Sequence, residues 1–247
     1  FYELYYSPNN TVLVVSGDVT PEEVRALAEE HYGPIPLNPD LPERLRTEEP
    51  RQNAERRVIF RDGRVAQPYV YRSYLVPERD SGAQETAAAL TILAEILGGG
   101  TTSFLAEKLQ FDTQTATYTT AGYSGVSLDD TTFRMIVVPT PGVSLEDGEA
   151  ALDGALAEFM EAGVDADQLE RIKLQLRASE IYAQDNVDGI ANRYGRALTS
   201  GLTIQDVEAW PDLLDAVTAD DIMQAATLLR RDASVTGWLM RPEGVSQ

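Results

Sequence analysis

The chain has 247 residues, 40 acidic and 20 basic side chains, a formal net charge of −20 and no cysteine. Disulfides, thiolate metal sites and a cysteine nucleophile are therefore excluded, and the negative field disfavours nucleic acid and anionic membrane as partners. No apolar run approaches the ~20 residues a membrane helix needs, so no membrane span is expected.

Along the chain, residues 1–6 (FYELYY) read as the end of a helix closed by the turn-forming Ser7, Pro8, Asn9 and Asn10. Residues 12–16 are a continuous apolar run ending in serine, the mark of a strand buried on both faces. Thr20, Pro21 and Glu23 then spell a capping box with proline at the first helical position, and the helix they open ends near His31. One strand and one helix cannot bury a core alone, so this segment is expected to lean on a sheet upstream of residue 1. Residues 34–50 hold five of the thirteen prolines and read as a linker.

Beyond the linker, strands are expected over 57–60 and 69–76 and a helix over 83–97, where Ala87, Leu90, Leu93, Ala94 and Leu97 recur at helical spacing. The run EILGGGTTSFLAEKL invites comparison with a phosphate loop. It follows a helix instead of a strand, however, and Thr101, Thr102 and Ser103 occupy the places a motif glycine and lysine would need. Helix, glycine stop, and a second helix over 102–110 is the better reading, with Gly98, Gly99 and Gly100 as the hinge. Two alternating strands come next, paired around Leu128, Asp129 and Asp130. Helices are expected over 144–162, 165–185, 187–200, 203–216 and 218–230, and a closing strand over 234–240. The expected fold is α+β, an antiparallel or mixed sheet with helices on one face.

Catalytic signals are sparse. His31 is the sole histidine and sits in a helix last turn, where imidazole suits the dipole. With no second histidine, no HxxEH or HExxH zinc site exists in this chain. Ser124 in GYSGV lacks the spacing of a nucleophile elbow. Residues 144–170 carry nine acidic side chains and no Lys or Arg; Glu158, Glu161 and Asp165 belong to a solvated face with potential affinity for basic peptides.

Several segments together resemble the insulinase/pitrilysin-type zinc metallopeptidases, in the bacterial branch related to mitochondrial processing peptidase. FYELYYSPNNTVLVVSGDVTPEEVRALAEEHYGPIP is similar to the end of that family's first half. QETAAALTILAEILGGGTTSFLAEKL, LERIKLQLRASEIYAQDNVDGIANRYGRALTSGL and EAWPDLLDAVTADDIMQAA are similar to its second half. The resemblance implies that residues 1–36 close a truncated preceding half, that 37–56 form the linker, and that 57–247 are the C-terminal, non-catalytic domain. It further implies that zinc is no cofactor of this chain itself, being bound upstream of residue 1 in the parent, and that the chain alone is inactive. Expected partners are the N-terminal zinc-bearing half and a peptide substrate. Family members hold substrate with an Arg and a Tyr seven residues apart; here Gln110 and Thr117 occupy those positions. Either the parent is inactive or a homologous second subunit supplies the missing pair, and the second is preferred because divided labour occurs in this branch. A non-proteolytic assembly subunit, like the core proteins of respiratory complexes, is the alternative. Export to the periplasm is implied by the resemblance alone.

Overall fold

The computed structural model of the protein describes residues 1–45, 50 and 52–242. Parts of the expected linker (46–49 and 51) and the last five residues of the expected C-terminal domain (243–247) lie outside the described residues. Five strands form one mixed sheet: β1 (Arg56–Arg61), β2 (Tyr69–Val76), β3 (Ala116–Tyr123), β4 (Thr131–Pro139) and β5 (Ser234–Met240). Their order is β1-β5-β2-β4-β3. Only the β1–β5 pair is parallel.

Alternation along β2 decides which face is covered. Val70, Arg72, Tyr74 and Val76 are buried, while Tyr69, Tyr71 and Ser73 are half-buried and Leu75 is exposed. Phe133, Met135 and Val137 of β4 stand opposite Tyr74, Arg72 and Val70, so the two strands present one apolar face. Against it lies helix α3 (Glu85–Gly98), where Leu90, Ile92, Leu93, Ile96 and Leu97 have no solvent exposure. A helix apolar on nearly every side belongs in the middle of a core, and α3 also meets three further helices. These are α5 (Ala166–Ala183), α7 (Ile204–Ala216) and α8 (Ala219–Ala226), while α4 (Leu145–Ala162) lies along β2 and β4.

Helix starts follow the sequence closely. Thr20, Ser144, Asp165, Asn186, Thr203 and Thr218 each accept the backbone N–H three residues on, opening α2 (Pro21–His31), α4, α5, α6 (Val187–Thr199), α7 and α8. Caps of this kind contribute about 1 kcal/mol each. The last helix is shorter than its pattern suggests, because Thr227, Leu228 and Leu229 donate to carbonyls three residues back and the chain tightens out of the α form.

One expectation fails outright. Residues 12–16 form no strand, and Val12, Leu13 and Val15 are exposed. A β-rich segment needs neighbouring N–H and C=O groups to pair with, and no strand of this sheet offers them here. The helix before it is one turn, α1 (Tyr2–Tyr5), and α2 buries none of its residues. Asn38 ties this region together, its amide donating to the Leu4 carbonyl at 2.7 Å and its Oδ1 accepting from Asp40 N–H at 2.9 Å.

Ionic contacts fasten sheet to helix. Arg72, 1% exposed on β2, pairs with Glu149 of α4 at 2.8 Å and with Asp153. The same Glu149 carboxylate accepts two bonds from Arg57 of β1, at 2.8 and 2.9 Å, and one from the Trp238 indole of β5 at 2.8 Å. Arg57 also lies over the Trp238 ring, 4.4 Å from its centroid. Arg231 bridges Asp153 and Glu55, each at 2.6 Å. Burial works against the Arg72 charge, yet the Asp153 hydrogen bond and charge outweigh it and hold that pKa above its ordinary value.

A second clamp fixes the turn between β2 and α3. The Asp206 carboxylate accepts from Ser81 Oγ at 2.7 Å, Gly82 N–H at 3.0 Å and Thr203 N–H and Oγ1 at 2.8 and 2.6 Å. Arg79 stacks on Trp210 at 3.8 Å and donates to Gln84 Oε1 at 2.8 Å; burial pushes its pKa down to about 10.

Glu149→Ala removes one of the two carboxylates paired with buried Arg72 and is expected to cost about 3 kcal/mol in urea unfolding, whereas Glu208→Ala on the exposed side of α7 stays within about 0.5 kcal/mol. Asp206 ionises more readily folded than unfolded, chiefly through the Thr203 and Ser81 hydrogen bonds. Its contribution is present above the unfolded-state value of about 3.9 and is lost as pH falls through the lower folded-state value. Thermal melts of Asp206→Asn are therefore expected to lie below the parent at neutral pH and to converge on it under strong acid.

Candidate functional site

The end of α3 meets β3 at a glycine. A Cβ on Gly98 would stand 1.8 Å from the Ala121 nitrogen, so only glycine lets the helix end approach the strand this closely. Gly100 has φ +99°, the left-handed region, and its carbonyl accepts from Ser103 Oγ at 2.7 Å. Gly99, at φ −77°, faces the Glu95 carboxylate, 2.2 Å from where a Cβ would stand. The three glycines therefore form a sharp corner at the C-terminal end of α3.

The second helix, expected over 102–110, forms here with a wider turn. Ala106–Asp112 is a π-helix, and Thr113 N–H reaches the Lys108 carbonyl five residues back at 3.1 Å. Leu105 and Leu109 anchor it in the core, and Phe104 meets Phe159 of α4 edge-on at 5.4 Å. Widening the turn shifts the side-chain register, and Gln110 comes to rest beside β3 with its amide donating to Thr119 Oγ1 at 2.7 Å. Lys108 turns to Glu158 of α4 at 2.6 Å, which neutralises part of the acidic face.

β3 is an edge strand of the sheet, and it carries a bulge. Ala116 pairs with Pro139 and Tyr118 with Val138, which leaves Thr117 as the extra residue. Its hydroxyl donates to the Val138 carbonyl at 3.3 Å. Just before the strand, Gln114 has φ +52°, uncommon for a residue with a side chain. Gln110 and Thr117 thus share one end of the sheet, on the π-helix and on the bulged edge strand, and each donates a hydrogen bond within the fold.

Among the described residues, no group of three or more His, Asp or Glu side chains is placed to hold a metal ion, and His31 is exposed at the end of α2. No described helix is long and apolar enough to cross a membrane.

The π-helix, the bulge and the buried Arg72–Glu149 pair escaped the sequence reading. Arg72 did leave a signal: it lies in phase with Val70, Tyr74 and Val76, and Glu149 lies in phase with Leu145 and Leu152. A charge in step with a core stripe on each of two elements points to a buried ion pair. The π-helix left none, because its pattern of apolar residues fits an α-helix equally well.

Residues 1–176 match the family described as the peptidase M16 inactive domain. Zinc protease PqqE of Helicobacter pylori is 23% identical over 245 residues, which are 98% of this chain and 54% of that protein. A solved protease structure from Helicobacter pylori superposes with a TM-score of 0.86 at 21% identity, covering 97% of this chain and 56% of the other. The first half of the periplasmic protease PqqL from Escherichia coli gives 0.80 at 19% identity, over 98% of this chain and 53% of that one. The chain spans about half the length of these relatives.

Gly98→Ala is expected to destabilise the fold by about 3 kcal/mol or more, through overpacking against β3. Gly63→Ala, with open space around it, is expected to stay within about 0.5 kcal/mol in the same urea titration.

Proposed function

Since this chain belongs to the peptidase M16 inactive-domain family, we propose that it is the C-terminal, non-catalytic portion of a zinc metalloendopeptidase and forms one wall of a chamber for extended peptides. The observation that carries this reading is the edge strand β3 with its bulge at Thr117 beside the π-helix bearing Gln110. An edge strand offers main-chain N–H and C=O groups to an extended peptide, and neighbouring side chains select among peptides. The described residues contain no ligand set for zinc. The metal and the water it activates belong, in this proposal, to a preceding half upstream of residue 1.

Residues 1–36 are then the closing piece of that half. The support is physical: Val12, Leu13 and Val15 are exposed although the composition of residues 12–16 suits a buried strand, and the relatives are about twice as long as this chain. Residues 37–56 link the halves, and 57–247 form the second. An exported, periplasmic setting fits the PqqL likeness.

Gln110 and Thr117 carry neither a positive charge nor a phenol, so neither neutralises an oxyanion or offers an aromatic clamp. A homologous subunit that supplies an arginine and a tyrosine completes the site. The internal hydrogen bonds of both residues also favour the alternative, a non-proteolytic assembly subunit.

The two readings separate in a reconstitution. Hydrolysis of a fluorogenic peptide by a separately expressed zinc-bearing half is expected to rise when this chain is added, with none from this chain alone. Gln110→Arg with Thr117→Tyr is expected to raise kcat/KM by about tenfold further, a modest share of what an oxyanion donor can contribute. A tight complex of the two halves with neither peptide binding nor hydrolysis would establish the assembly role instead.

A further inference from the structure

At the sheet end away from Gln110 and Thr117, a cleft of about 760 Å³ opens between the end of β2, the start of α3 and α8. Val76, Pro77 and Ala225 contribute to its apolar floor. Its rim carries the carboxylates of Glu85, Asp130 and Asp221 and one cation, Arg230. That cation is already committed, because the Arg230 guanidinium makes a two-point contact with Asp232. Asp221 is committed too, accepting from Thr218 N–H and Oγ1 at 2.8 and 2.6 Å. Among the described residues, Glu85 and Asp130 are the rim carboxylates without a basic partner, and Asp130 shares a side-chain hydrogen bond with Glu78. The surroundings of Asp130 deepen the imbalance: burial first, then the neighbouring Glu78 charge, raise its pKa, and Asp80 and Asp129 add to the effect.

We propose that this cleft binds a basic peptide segment, with a Lys or Arg head group held by Glu85 and Asp130 and its aliphatic stem laid on the apolar floor. Long cationic side chains suit such a site because stem and head are solvated differently. Charge complementarity selects the occupant: an acidic segment would meet three carboxylates and an arginine already occupied. Gln52 and Asn53 form part of the wall, and Gln52 donates to the Ser234 carbonyl at 2.5 Å, so the occupied cleft would touch the segment leading into β1. The site is separate from the β3 edge and stands whether or not the chamber reading does.

Fluorescence anisotropy of the 247-residue chain with a labelled peptide of alternating alanine and arginine tests it. Saturable binding is expected, with none for the alanine–glutamate counterpart. Glu85→Gln with Asp130→Asn is expected to weaken binding about tenfold, equivalent to about 1.4 kcal/mol. The control pair Glu170→Gln with Glu208→Gln removes the same charge from exposed positions on α5 and α7 and is expected to leave affinity unchanged. Thr86→Arg places a cation in the wall and is expected to compete, which keeps the test informative should the double variant fold poorly. Equal weakening by the control pair would show attraction by the overall field and overturn the site. So would an absence of saturable binding, or affinity untouched by both cleft variants.

Discussion

The Glu149 carboxylate holds this architecture together. It is nearly buried and receives hydrogen bonds from Arg57, Arg72 and Trp238, which lie on β1, β2 and β5. Removing a carboxylate and a guanidinium from water is costly, and such a pair stabilises only when geometry and further hydrogen bonds satisfy both groups. Here three donors on three strands converge on one acidic group of α4. The arrangement specifies a single register of helix on sheet, since a shift by one residue would strand a charge in the core. It also secures β1, whose residues are all exposed and which has little apolar burial of its own.

That arrangement leaves the sheet asymmetric, with consequences at both ends. One face is closed by α3, α4 and their neighbours; the other is half-buried at most along β2. At the end bearing Ala116 and Pro139, the π-helix and the bulge set Gln110 and Thr117 beside a strand edge. At the end bearing Val76 and Asp130, the acidic rim stands over an apolar floor. Both features draw on strain or charge imbalance that the core between them can tolerate, which is the usual relation between a rigid scaffold and the loops it presents.

The first 36 residues behave differently from the rest. Their helix α2 is capped as well as any in the chain, with Thr20 and Glu23 satisfying each other's backbone, yet it buries nothing. Local hydrogen bonding sets where a helix starts, whereas burial depends on what lies opposite. The relatives this chain matches are about twice its length.

Local chemistry alone determined much of this fold. Hydroxyl and carboxylate caps stand at the helix starts, the run at 69–76 marked a strand, and the glycine run ended helix α3. These signals act over a few residues and are written in contiguous sequence. The missing strand at 12–16, the parallel docking of β1 on β5, the π-helix at Ala106–Asp112 and the convergence on Glu149 were decided only in three dimensions. Each depends on groups that lie far apart in the chain: a strand exists when another backbone is there to bond it, and an ion pair survives in a core when its distant partners arrive together.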